Sequence, residues 1–254
     1  MKFMWIKWSF IFIVTLPAWG YNLTQDFLNG FYWASLPVKI IVSESDVTRK
    51  ALLTEIAQSA IGEWEQKTGA TLWNLSGSGT NNLIRWSTNF AQETRMDASS
   101  VLAIAIRHSN GPYFAKTEII INGNHSSFNT GSSYYDKMNI NTTLVHELGH
   151  TIGLDHSNDM SAVMAPSLQF PYSGLQADDI QGMQNVIAQT QERQITKYVS
   201  PLAYAKETHT VQPLSCGTTG ALNPTAAGNN LVSIIFGLLI GLIRKIVIWV
   251  KSRL

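Results

Sequence analysis

What this sequence has little of narrows it first. One cysteine, Cys216, occurs in 254 residues. A single thiol excludes an intrachain disulfide, and it excludes a cysteine-rich structural metal site. Charge is sparse too. Asp, Glu, Lys and Arg make up 14% of the chain, and 18 basic against 17 acidic residues leave a formal net charge of +1. A balance so near zero, without a basic stripe, argues against nucleic acid or another polyanion as partner. Long hydrophobic runs are also missing. An apolar core near the start covers only 9–16, and the run 231–243 is broken by Arg244 and Lys245. Neither alone reaches the roughly 20 apolar residues of a spanning helix.

The two ends still carry signals. Lys2 and Lys7 precede the short core 9–16, and Ala18-Trp19-Gly20 offers small residues for a cut after Gly20. Residues 1–20 therefore read as an export signal, with an uncleaved anchor as the alternative. Residues 196–230 are polar and punctuated by Pro and Gly, which reads as a flexible linker. The segment 231–254 is hydrophobic with a basic end, Lys251 and Arg253, and is expected to attach the chain to a membrane. The order cysteine, linker, apolar helix, basic end resembles prokaryotic sorting tails, some of which are cut near a Cys-Gly such as Cys216-Gly217. A permanent anchor or an interfacial helix fits equally.

Between the ends the pattern is mixed. Residues 21–36 are an aromatic lead-in without clear period. Strands are expected at 38–42, 71–75, 83–87, 101–106 and 117–122, from short runs of β-branched and aromatic residues bounded by turns. Ala51, Leu52, Ile56, Ala60, Ile61 and Trp64 recur at helical spacing up to Gly69, with Ser45 or Asp46 as cap. Residues 88–99 read as loop, 108–112 as a turn, and 122–136 as a long loop. A second helix is expected from about Asn141, capped by Asn139 or Asn141. A third covers about 177–194, with Asp178 and Asp179 in its first turn, where acidic groups suit the positive end of the dipole. The central 21–195 forms one domain, and 101–106 could be either an edge strand or a buried central one.

The chemistry concentrates in 146–156, which reads H-E-x-x-H-x-x-G-x-x-H, a zinc signature. His146 and His150 are four apart and share one helix face. Gly153 lets the helix end, since glycine tolerates positive φ, and His156 can then swing back to the same ion. Three histidines without a fourth protein ligand leave a position open for water. That is a catalytic pattern, not a closed structural one.

These residues resemble the matrixin branch of the metzincin metallopeptidases, where a serine, here Ser157, follows the third histidine. Ser161-Ala162-Val163-Met164-Ala165-Pro166 resembles the matrixin Met-turn, 175–184 the start of the last helix, and 101–106 the substrate-binding edge strand. The resemblance covers about 35–190 and is most specific over 141–166. It implies an α+β fold with a twisted five-stranded mixed sheet and three helices, to which the hydrophobic C-terminal helix would be added. It implies one catalytic Zn2+ on His146, His150 and His156, and peptide or protein substrates. Glu147 would then take the proton of the zinc-bound water and pass it to the leaving amine. Met164 would floor the site. Leu102, Ala103 and Ile104 would lay the substrate out as an added strand, and Pro166, Leu168, Phe170 and Tyr172 would wall an apolar pocket. One of Asp178 and Asp179 would anchor the loop near the Met-turn.

Four departures stand beside this. Ala165 replaces the tyrosine usual after the Met-turn methionine. Ile104 stands where animal matrixins place a histidine for a second zinc, and His108 and His125 do not match that spacing. Acidic calcium loops are not recognisable, so Ca2+ has no support. About 15 residues between the signal cut and the first strand are too few for a folded prodomain, and the only thiol, Cys216, follows the catalytic domain. The reading is an exported, monomeric zinc endopeptidase. Its alternative is a non-catalytic surface binding module on the same fold, and a narrow processing enzyme for one exported partner is a third.

Overall fold

The computed structural model describes residues 20–204 except Gln169, together with the strand 214–217. The expected signal core and the apolar tail 231–254 fall outside these residues. Among the described residues, no helix is long and apolar enough to cross a membrane.

The lead-in is structured, not irregular: it holds a short helix α1 (Gln25–Leu28) and a two-residue strand β1 (Tyr32–Trp33). Next comes β2 (Val38–Val42), then the long helix α2 (Val47–Thr68). Asp46 caps α2 by accepting from the N–H of Arg49 at 2.7 Å, and Gly69 ends it at φ 70°. The buried face of α2 is Leu53, Ile56, Ala57, Ala60, Ile61 and Trp64. Ala51 and Leu52, expected there, are exposed. Leu53 takes their place, because it alone keeps the three-to-four spacing with Ile56 and Ala57.

The strands β3 (Trp73–Leu75) and β4 (Leu83–Ser87) follow, and a short helix α3 (Phe90–Thr94) corrects the expected loop at 88–99. A hairpin of β5 (Val101–Asn110) and β6 (Tyr113–Asn122) is longer than the expected 101–106 and 117–122, so the turn shrinks to Gly111 and Pro112. One 3-10 turn (Ser126–Phe128) leads to α4 (Ser133–Ile152). This helix starts eight residues before Asn141, with Ser132 as N-cap. Its first turns carry the exposed Tyr134 and Tyr135, so no apolar period marked them. The last elements are α5 (Ala177–Thr196) and β7 (Leu214–Gly217).

The sheet has seven strands where five were expected, in the order β3-β2-β4-β6-β5-β7, with β1 beside β6. The three parallel neighbours β3, β2 and β4 join β6 in parallel, and β5 runs antiparallel between β6 and β7. Alternation along β6 sorts the two faces: Ile119 and Ile121 join the main core with α2 and α4, while Ile120 packs with Ile104 and Phe90 on the other side. Trp64 ties α2 to α4, its Nε1 donating to the carbonyl of Val145 at 2.8 Å. The last half of α4 is thus buried on all sides, from Thr142 to Ile152.

Candidate metal centre

His146 and His150 lie on that buried half of α4, both fully enclosed. The helix ends at Gly153, where φ is 125°, a conformation open to glycine and strained for other residues. Space demands glycine there as well: a Cβ would sit 2.6 Å from the ring of Phe27. The chain then turns back and brings His156 beside the other two. One nitrogen from each histidine lies within 4.8 Å of the others.

The hydrogen bonds decide how these rings are protonated. Nδ1 of His146 meets the carbonyl of Val163 at 2.6 Å, and Nδ1 of His150 meets that of Leu154 at 2.8 Å. A carbonyl only accepts, so each Nδ1 holds the proton and each Nε2 is bare. Those two Nε2 atoms face each other at 2.9 Å. Two lone pairs so close repel unless a cation is shared between them. Nε2 of His156 is buried without a hydrogen-bond partner among the described residues. Burial pushes His146 down to about 3, His150 well below the usual imidazole range and His156 below it; the neighbouring rings add to this for the first two. Neutral imidazoles with converging lone pairs suit zinc, whose tetrahedral ligand nitrogens stand roughly 3.3 Å apart. The residues present therefore fit the ion. Glu147, next to the first of them, is fully buried.

The Met-turn lies where the motif placed it. Met164 is buried under α4, and Gly149 makes room for it: a Cβ at 149 would meet the Met164 sulfur at 2.5 Å. Asp179 holds this turn, accepting from the N–H groups of Val163 (3.0 Å), Met164 (2.9 Å) and Gln176 (2.8 Å). The Val163 carbonyl is in turn the partner of His146, so α5 orients a ligand through one loop residue. Burial pushes the Asp179 carboxyl up to about 6, against those three donors. Asp178 accepts from the hydroxyl of Ser157 at 2.6 Å, which gives the serine after the third histidine its structural reason.

The lead-in was expected to lie on the domain, but its hold on the loop of His156 was not. Asn22 donates to the carbonyl of His156 at 2.8 Å and accepts from the N–H of Asp155 at 2.9 Å. Leu23 bridges to Leu154, and Thr24 donates from its N–H to the carbonyl of Gly153 at 2.9 Å. Residues 20–24 are thus a rail along the loop that carries His156. Arg107 was missed too. It is buried in β5, pairs with both oxygens of Asp26 (3.0 and 2.7 Å), and donates to the carbonyl of His150.

The proposed substrate contacts divide. Leu102, Ala103 and Ile104 are all buried, and Ile104 is committed to the cluster with Phe90 and Ile120. What they can offer a peptide is backbone, not side chain. Leu168 is buried; Phe170 is partly buried against the core and Pro166 is half-exposed. Leu168 and Tyr172 line a slot of about 20 Å³ between Thr142, one turn before His146, and the Met-turn. That is room for about one water. The Tyr172 hydroxyl donates to Glu63 at 2.7 Å, which fixes the wall to α2. A larger cavity of about 540 Å³, lined by Leu53, Trp86 and Phe128, contains none of the candidate residues. His125 is buried, with its Nδ1 accepting from the N–H of Ser127 at 3.2 Å, and joins no metal cluster among the described residues.

The matrixin family model matches residues 33–188. The chain belongs to the matrixin family. Among curated matrixins, rat matrix metalloproteinase-16 is 42% identical over 59 residues, which cover 22% of this chain and 10% of the relative. Rabbit macrophage metalloelastase is 41% identical over 66 residues, 25% of this chain and 14% of the relative. Bovine interstitial collagenase is 38% identical over 63 residues, 24% and 13% respectively. The matched stretches span only about a tenth to a seventh of these relatives. Matrixins are zinc enzymes, and this chain has the histidine triad for the ion.

Proposed function

We propose that this matrixin is a zinc-dependent endopeptidase that acts outside the cytoplasm, with His146, His150 and His156 as ligands and Glu147 as catalytic base. The observation that carries the reading is the convergence of three imidazoles, one nitrogen of each within 4.8 Å of the others, with the buried Glu147 next in the chain to the first. Bound there, zinc would supply Lewis acidity toward a carbonyl oxygen and toward water. Glu147 takes the proton of the attacking water on a carboxylate oxygen and returns it to the leaving amine nitrogen. The carbonyls of Val163 and Leu154 keep His146 and His150 in the tautomer that leaves Nε2 bare. Burial on all sides of the last half of α4 keeps the proton transfers away from bulk solvent. β5 offers its backbone to an extended peptide, and Leu168 and Tyr172 limit the side chain that can enter beside the Met-turn to a small one unless the wall moves.

The export signal at 1–20 and the hydrophobic segment 231–254 support an extracytoplasmic, membrane-attached protein with 21–195 as its catalytic domain. The test uses the full chain and the Glu147→Gln variant, with bound zinc measured and a mixed peptide library supplied. Chelator-sensitive cleavage by the parent and a drop of about 10²–10⁴-fold in the variant are expected for the loss of a general base. Zinc in both proteins with cleavage by neither would favour the non-catalytic surface module. A folded parent that takes up no zinc would remove the metalloenzyme reading altogether.

A further inference from the structure

The sheet edge that a substrate would need is already taken by the chain itself. β5 has two sides. Its inner side pairs with β6 from Ala103 to Asn110. Its outer side pairs antiparallel with β7, with Val101 opposite Gly217, Ala103 opposite Cys216, Ile104 opposite Ser215 and Ala105 opposite Leu214. Of these, Ala103, Ile104 and Ala105 have buried side chains and Val101 a partly buried one, so the backbone groups paired with β7 are what β5 has to offer a peptide. β7 also lies beside α4, the helix of the histidines. A strand has one set of outward N–H and C=O groups, and two peptides cannot use it at once.

We propose that residues 214–217 are a resident peptide that occupies the β5 edge and excludes extended substrates in cis. The proposal rests on the endopeptidase reading for its consequence, though not for the pairing itself. The occupant is tethered, so it competes at an effective concentration that can reach the order of millimolar. A loose substrate must wait for the fraction of molecules in which the strand is undocked. Four residues of pairing are a short ladder, which suits an occupant that leaves when displaced. The site is then a matrixin cleft whose access is set by the segment after the catalytic domain.

The test uses full-length, zinc-loaded protein with Ser215→Pro/Cys216→Pro, which removes two adjacent N–H groups. One of the two must face β5 in an antiparallel ladder. The first readout is amide hydrogen exchange over 101–105, made in the Glu147→Gln background so that self-cleavage cannot remove the strand. Faster exchange at the outward amides of β5 in the proline variant is expected, and equal exchange would overturn the proposal whatever the activity. The second readout is cleavage of an added peptide. If the strand is docked about 90% of the time, the proline variant should gain about tenfold in kcat/KM. Unchanged kcat/KM in an active enzyme would overturn it. Exchange that differs with no cleavage by either protein keeps the docked strand and sinks the endopeptidase reading, so the two failures are distinct. Cys216→Ala separates backbone from thiol. It should behave as the parent, and full release by this variant would replace the docked strand with a thiolate on the histidine site.

Discussion

Two buried carboxylates steady the histidine cluster from opposite ends of the chain, and they do so by different electrostatics. Asp26, from α1, faces a full opposite charge. Arg107 grips both its oxygens and extends a further N–H to the carbonyl of His150. Asp179, from α5, is met by three backbone N–H groups, two of them from the Met-turn. The first arrangement joins side chain to side chain and touches a ligand helix with what is left over. The second holds the loop backbone directly, so the position of the Met-turn and the ionisation of the carboxyl are coupled. A charge pair fails when either member is lost. A cradle of N–H groups should instead respond to pH.

The largest effect expected from breaking this contrast is at Arg107. Arg107→Met leaves Asp26 buried without its cation, which costs about 3–5 kcal/mol in comparable buried pairs. Urea unfolding of the zinc-free protein would measure it. The double variant Asp26→Leu/Arg107→Met should recover much of that loss, because an apolar pair carries no stranded charge. A single-variant loss below about 1 kcal/mol would mean the pair is solvated after all, and the comparison would lose its first half.

How legible these regions were follows from where their partners lie. The metal centre was readable because its chemistry sits within eleven consecutive positions, and the Met-turn and Asp179 follow at short range. An anchoring role for one of Asp178 and Asp179 was expected, and the structure gives it to Asp179. Arg107 was not expected, because it lies just past the apolar run 101–106 and its partner is 81 positions earlier. The rail at residues 20–24 left no trace for the same reason: its bonds reach positions 153–158, and a stretch with no period shows nothing of them. The five expected strands all exist. Those that were missed, β1 and β7, have two and four residues, too short to display alternation. The start of α4 was hidden by a half-exposed first half, and α3 by its five residues.

The second effect sharpens the Asp179 side. Its folded pKa, about 6, lies above the ordinary 3.8, so the folded state binds more protons between those values. Its contribution to stability is therefore full below about pH 4 and is lost as pH rises through about 6. The histidines work in the opposite sense. Their folded values are depressed, so the stability they allow is present above about 6.5 and lost as pH falls. Asp179→Asn cannot titrate, while the histidines remain in both proteins. The stability difference between parent and variant should thus be largest at about pH 4 and below and shrink toward pH 7, by about 2–3 kcal/mol from the size of the shift. Urea unfolding of zinc-free protein across that range reads it. A difference that instead grows with pH would show that the three N–H donors outweigh burial and hold the carboxylate ionised.

The smallest effect tests whether the neighbouring acid belongs to the same flank. Asp178 accepts from the Ser157 hydroxyl at 2.6 Å and from the N–H groups of Gly20 (2.7 Å) and Tyr21 (2.9 Å). The same hydroxyl accepts from the N–H of Asp159 at 2.9 Å, so Ser157 passes the grip of Asp178 along the loop that follows His156. Ser157→Ala removes one hydrogen bond to a carboxylate and leaves two others on it, a loss of about 1.5 kcal/mol. Zinc dissociation should quicken modestly, because the loop is still railed by Asn22 and Leu23. Should Ser157→Ala instead match Arg107→Met in stability loss, the α5 side would be the stronger hold, and the order drawn from charge against dipole would be reversed.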